Sequence, residues 1–158
     1  MPPHARVWVY QANRNLNAAE LTKTEEVLAA FTTDWNSHGH GLSSSFKVAY
    51  NRFVILAVDE AAYGASGCSI DKSVNIMKEL EQTLGIKLLD KMQIAYLQEN
   101  EIASLDFRNV KPAIADGTLK PDTIIFNNLV NSIEELDKSW KQPAGDSWLA
   151  RYFQMKTV

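Results

Sequence analysis

Hydrophobic and polar positions change period several times along the chain, and each change predicts an element. Arg6 to Gln11 sets Val7 and Val9 against Trp8 and Tyr10, the alternation of a β-strand rich in β-branched and aromatic residues. Asn17 and Glu20 then form a capping box, with Leu16 and Leu21 at the staple positions around it. Leu21, Leu28, Phe31 and Trp35 follow at helical spacing, predicting a helix of about 18 residues that ends near Ser37-His38-Gly39, where glycine suits a left-handed cap. Phe46, Val48 and Tyr50 alternate with Lys47 and Ala49 as a second strand. Phe53 to Glu60 reads as a third, with Asn51-Arg52 as the tight turn between them, or the two runs form one long bulged strand.

After Gly64-Ala65-Ser66-Gly67-Cys68-Ser69, a second helix carries Ile70, Val74, Met77, Leu80 and Leu84 near one face, with Gly85 as its C-cap. Lys91 to Leu97 is a fourth strand. The order β-α-β-β-α-β over residues 6–97 is that of a ferredoxin-like split βαβ unit, so the expected class is α+β. Both sides of the third strand are apolar: Phe53, Ile55 and Ala57 on one, Val54, Leu56 and Val58 on the other. A sheet with one face in water would alternate there. The second face is therefore expected to be covered, by residues 98–158 or by a second copy in a homodimer.

The C-terminal third supplies a short helix within Phe107 to Ala115, a turn at Gly117, a strand within Asp122 to Asn127, and a helix opened by the Ser132/Glu135 capping box. Trp148, Leu149, Tyr152 and Phe153 give the last segment more apolar mass than a free tail carries, which predicts that it docks. No composition shift marks a linker, and 158 residues suffice for one domain burying roughly 70% of its unfolded surface.

Composition narrows the function classes. The chain is 46% hydrophobic with a formal charge of −3, its charges of both signs interspersed. No basic stripe offers to neutralise phosphates, which argues against a nucleic-acid partner. The longest strongly apolar run, Phe53 to Val58, is far shorter than the roughly 20 residues that cross a bilayer, so no membrane partner is expected. A single cysteine and an N-terminus without a signal-peptide pattern point to the cytoplasm.

The glycine-rich loop is the leading candidate site. Gly64 and Gly67 permit a tight turn, Ser66 and Ser69 add hydroxyls, and amides at a helix start attract small anions. Cys68 sits where the helix dipole favours a thiolate, making it the candidate nucleophile or redox thiol, with Asp59, Glu60 or Asp71 assisting. The structural alternative is a connecting loop in which Ser69 or Asp71 caps the helix and Cys68 packs as a small hydrophobe. Known signatures are absent. There is no Walker A string, the spacing of a nucleophile elbow is broken, and Val74 stands where a cysteine-phosphatase loop places arginine.

Other candidates carry weaker chemistry. His38-Gly39-His40-Gly41 lacks further metal ligands at a telling spacing, and no metal or cofactor is expected. It reads instead as a helix-terminating loop whose histidines complement the helix C-terminus. Arg151, among aromatic residues, either holds an anionic ligand or clamps the tail through an ion pair.

Tyr50-Asn51-Arg52-Phe53, Val58-Asp59-Glu60, Ser66 through Val74, Phe126-Asn127-Asn128-Leu129-Val130 and Asp146-Ser147-Trp148-x-Ala150-Arg151 together resemble an uncharacterised bacterial family, over nearly the whole chain. Members are sometimes labelled "ABC transporter ATPase", so the resemblance implies an ATPase-associated component. An ABC ATPase requires a Walker A loop and an LSGGQ-like signature, and neither string occurs here. The expectation from the residues is a non-catalytic module that binds a small ligand or a protein, with a Cys68 enzyme as the alternative.

Overall fold

Residues Met1–Gln154 are described by a computed structural model, in which the chain forms two compact units. The first comprises Met1–Leu89 and Asn128–Asp137; the second comprises Asp90–Asn127 and the segment from Lys138 onward. Helices and small antiparallel sheets make up both, as expected of an α+β chain.

In the first unit β1 (Arg6–Gln11) leads to α1 (Ala18–Asp34), a two-residue ribbon of β2 (Asn36–Ser37) and β3 (His40–Gly41), then β4 (Ser43–Ala49), β5 (Phe53–Asp59) and α2 (Gly67–Leu84). The sheet order is β1-β5-β4, antiparallel throughout. Alternation along β5 turns Val54, Leu56 and Val58 toward the helices, where they pack with Leu28 of α1 and Met77 and Leu80 of α2. Phe53, Ile55 and Ala57 on the other face are buried as well.

Local signals set the ends of both helices. The Asn17 side chain accepts from Glu20 N–H at 2.9 Å, and Glu20 returns a bond to Asn17 N–H at 3.0 Å. Arg14 adds two contacts to the same carboxylate, at 2.8 and 2.7 Å, and together these bonds hold the Glu20 pKa down at about 2. Gly85 ends α2 with φ 64°, a left-handed cap as predicted.

Three expectations need correction. The strand expected to complete a ferredoxin-like sheet, β6 (Gln93–Gln98), does not pair with β1; it joins the second unit. The outer edge of β1 instead meets Asn131–Ile133, through Val7 N–H to Asn131 C=O at 3.1 Å and Ile133 N–H to Ala5 C=O at 3.0 Å. Helix α1 stops at Asp34, with Trp35 extended, because His38 and Gly39, at φ 51° and 81°, form the tip of the β2–β3 ribbon rather than a helix cap. The β4–β5 turn lies one residue earlier than expected. Tyr50 and Asn51 have φ 54° and 55°, and Arg52 N–H donates to Ala49 C=O at 3.0 Å. Arg52 is drawn inward instead, donating to Ala12 C=O, Asn13 C=O and the Asn15 side chain, and burial lowers its pKa.

The second unit is a four-stranded antiparallel sheet in the order β7-β6-β8-β9, with β7 Glu101–Asp106, β8 Ile124–Phe126 and β9 Lys141–Pro143. A 3-10 turn at Phe107–Asn109 runs into α3 (Val110–Ala115), as expected, and Gly117 turns at φ 85°. Its core gathers Ile94, Val110, Ile114, Leu119 and Ile125. Helix α4 (Ile133–Ser139), most of which belongs to the first unit, begins at Ser132, whose hydroxyl accepts from Glu135 N–H at 3.1 Å. The final helix α5 (Ala150–Gln154) is docked, as its apolar content predicts: Leu149 is fully buried, and Tyr152 and Phe153 pack on the core.

Candidate functional site

The glycine-rich loop spends many of its polar groups on itself. Ser66, rather than Ser69 or Asp71, caps α2: its hydroxyl accepts from Ser69 N–H at 3.2 Å and lies 2.8 Å from the Ser69 hydroxyl. Ser69 is buried and donates onward to Asn36 C=O at 2.7 Å. Glu60 reaches back from the end of β5 and accepts from Ala65 N–H at 2.8 Å. A side chain at Gly64 would place its Cβ 2.8 Å from that carboxylate, so glycine is what admits the close approach. Around Gly67 there is open space.

The acids beside the loop have structural partners. Asp59 accepts from Ala61 N–H at 3.1 Å and lies 3.4 Å from His4, while Arg6 stands 4.0 Å from Glu60. Asp71 lies exposed on the first turns of α2. Cys68 is exposed too, which corrects the reading of it as a packed hydrophobe. Of the predicted constellation the fold therefore brings Glu60, Gly64, Ser66 and Ser69 into one bonded loop, and leaves Cys68 on its outer surface.

The remaining candidates resolve similarly. His40 stacks on Tyr63, ring centroids 4.3 Å apart, so this histidine packs against the loop's approach instead of facing a helix end. Among the described residues no group of three or more histidine, cysteine or acidic side chains is placed to hold a metal ion. Among the described residues Arg151 forms no ion pair. It bonds the Tyr152 hydroxyl at 2.8 Å and covers the Tyr152 ring. Asn128 donates to Gln11 Oε1 at 2.8 Å, and the buried Gln11 Nε2 has no partner.

A site the periodicity did not reveal lies between the helices of the first unit. Val27, Phe31 and Trp35 from α1 and its C-cap face Ile76 from α2 across an open groove of about 590 Å³. Phe31 and Trp35 pack with ring centroids 4.9 Å apart. The end of α1 is pinned to the start of α2 by Trp35 Nε1 donating to Ser69 C=O at 2.9 Å, together with the Ser69–Asn36 bond. Asp34, Lys72, Asn75 and Glu79 form the rim, and none of their side chains makes a hydrogen bond or ion pair among the described residues. The groove thus combines an apolar floor with a few uncommitted polar groups, the make-up of small-ligand sites. The sequence signal for it was faint. Apolar positions of α1 extend beyond one stripe, from Leu28 round to Val27 and Phe31, and those two are only half-buried.

Comparison with protein-family models, curated proteins and solved structures found no match to this chain. No helix of the described residues is long and apolar enough to cross a membrane.

Proposed function

We propose that the protein is a non-catalytic binding module of the cytoplasm whose ligand seat is the groove between α1 and α2. The observation that carries this reading is the contrast between two places in one unit. The loop directs its serine hydroxyls and the Ala65 amide to internal partners, whereas the groove keeps four rim side chains free above an apolar floor. Its volume falls within the roughly 300–1,000 Å³ typical of sites for small organic ligands. The Cys68 enzyme reading gains no support from its surroundings, since Glu60 serves the Ala65 amide and Asp59 the Ala61 amide and His4.

We further infer a ferredoxin-like origin for the first unit. The β1-β5-β4 order with both helices on one face supports three of the four strands of that fold, with Asn131–Ile133 at the edge where the fourth would lie.

The test uses the fluorescent amphipathic probe anilinonaphthalene sulfonate with the intact chain. The probe is expected to bind the native protein, and Ala30→Trp, which fills the groove from its exposed wall, is expected to abolish binding while Cys68→Ser leaves it intact. Undiminished binding to the Ala30→Trp protein would place the seat elsewhere.

A further inference from the structure

We propose that the α1–α2 groove holds an apolar amino acid as its zwitterion, with the ammonium toward Asp34 and the carboxylate toward Lys72; this rests on the groove being the ligand seat. Asp34 is the last residue of α1, and Lys72 lies in the second turn of α2. Both line the groove from opposite walls, and the Trp35–Ser69 and Ser69–Asn36 bonds bring those two helix ends together. Yet Asp34 and Lys72 do not pair with each other or with any other described residue.

The helix ends reinforce the same signs. A helix C-terminus is a region of negative potential and a helix N-terminus one of positive potential. The last turn of α1 carries no basic residue and the first turn of α2 no acidic one, so neither field is cancelled by its own helix. The wall formed by α1 therefore favours a cation and the wall formed by α2 an anion, at the same end of the groove. A singly charged ligand satisfies one wall and opposes the other. A zwitterion whose two charges are one carbon apart satisfies both, and its side chain then extends over Phe31 and Ile76.

Calorimetric titration of the full chain with L-phenylalanine, phenylethylamine and 3-phenylpropanoate separates the charges while keeping the ring. L-Phenylalanine is expected to bind up to roughly fivefold more tightly than either singly charged analogue, the effect of one additional exposed charge contact. Asp34→Asn should remove that advantage over 3-phenylpropanoate, and Lys72→Met the advantage over phenylethylamine. The double reversal Asp34→Lys with Lys72→Glu should restore part of the L-phenylalanine affinity in the opposite orientation, against the unchanged helix-end fields, which a purely structural role of these exposed residues would not produce. Equal binding of all three compounds, or tighter binding of either analogue, would overturn the zwitterion and leave the groove in place. No L-phenylalanine binding while anilinonaphthalene sulfonate still binds would do the same; failure of every probe would overturn the groove as well.

Discussion

Replacing Ser69 by alanine and, separately, Cys68 by alanine distinguishes a structural loop from a chemical one. Ser69 is 1% exposed, and its hydroxyl joins three segments: it donates to Asn36 C=O at 2.7 Å and meets the Ser66 cap at 2.8 Å. A hydrogen bond contributes about 0.5–1.5 kcal/mol net, and losing the partner of the half-buried Asn36 carbonyl adds to the loss, so Ser69→Ala should cost about 1–3 kcal/mol. The better helix propensity of alanine offsets a few tenths of a kcal/mol of that, roughly 0.5 at most. Cys68 is exposed and makes no bond of this kind, so Cys68→Ala should lie within about 0.5 kcal/mol of the parent. Urea unfolding followed by tryptophan fluorescence reads both, because the Trp35 indole bonds the Ser69 carbonyl. With a slope near 2 kcal/mol/M, the Ser69→Ala midpoint should fall by roughly 0.3–1.5 M at unchanged slope once that offset is included. A Ser69→Ala midpoint equal to the parent, or a Cys68→Ala midpoint equally depressed, would refute the structural account of the loop.

Three further outcomes follow from the same geometry. Leu56→Ala, at a fully buried site in the centre of β5, should destabilise by about 2–5 kcal/mol in the same urea assay, and a loss below about 1 kcal/mol would mean the core beneath the helices is misplaced. The Glu20 carboxyl, held down first by Arg14 and then by the Asn17 amide, should titrate at about 2 by NMR. Because its folded pKa is depressed, its stabilising contribution is present above the unfolded value, near 4.5, and is lost as pH falls toward 2. Titration near 4.5 would show that the capping box and its arginine are not formed. Tyr50→Gly, at φ 54° on the β4–β5 turn, should raise stability by up to about 1 kcal/mol by relieving left-handed strain; a decrease would argue for the Asn51-Arg52 turn instead.

What could be read from the sequence was local. The capping box at Asn17 and Glu20, the Gly85 cap, the alternation in β1 and the unbroken apolar run of β5 each act within a few residues, and each appears where the pattern put it. Strand pairing is not local. β6 has the apolar pattern to sit beside β1, but it pairs with β7 through the Glu99-Asn100 turn, at φ 51° and 69°, whose closure involves only neighbouring residues. The end of α1 was misplaced because a histidine-glycine pair serves a helix cap and a ribbon tip equally well. Ser66 was read as part of a ligand cradle because a serine hydroxyl that caps a helix and one that binds an anion look alike until the Asn36 and Ser69 partners are known. The groove escaped because its rim is ordinary helix surface; only the facing of Asp34 and Phe31 against Lys72 and Ile76 makes it a site.

The proposed ligand seat lies between the helices and not in the glycine-rich loop. Backbone amide NMR spectra recorded during titration with anilinonaphthalene sulfonate test it most directly. The account predicts that shift changes concentrate at Val27, Ala30, Phe31, Lys72 and Ile76, and that Gly64 and Ala65 stay fixed. Changes centred on Gly64 to Cys68, with the groove residues silent, would contradict it.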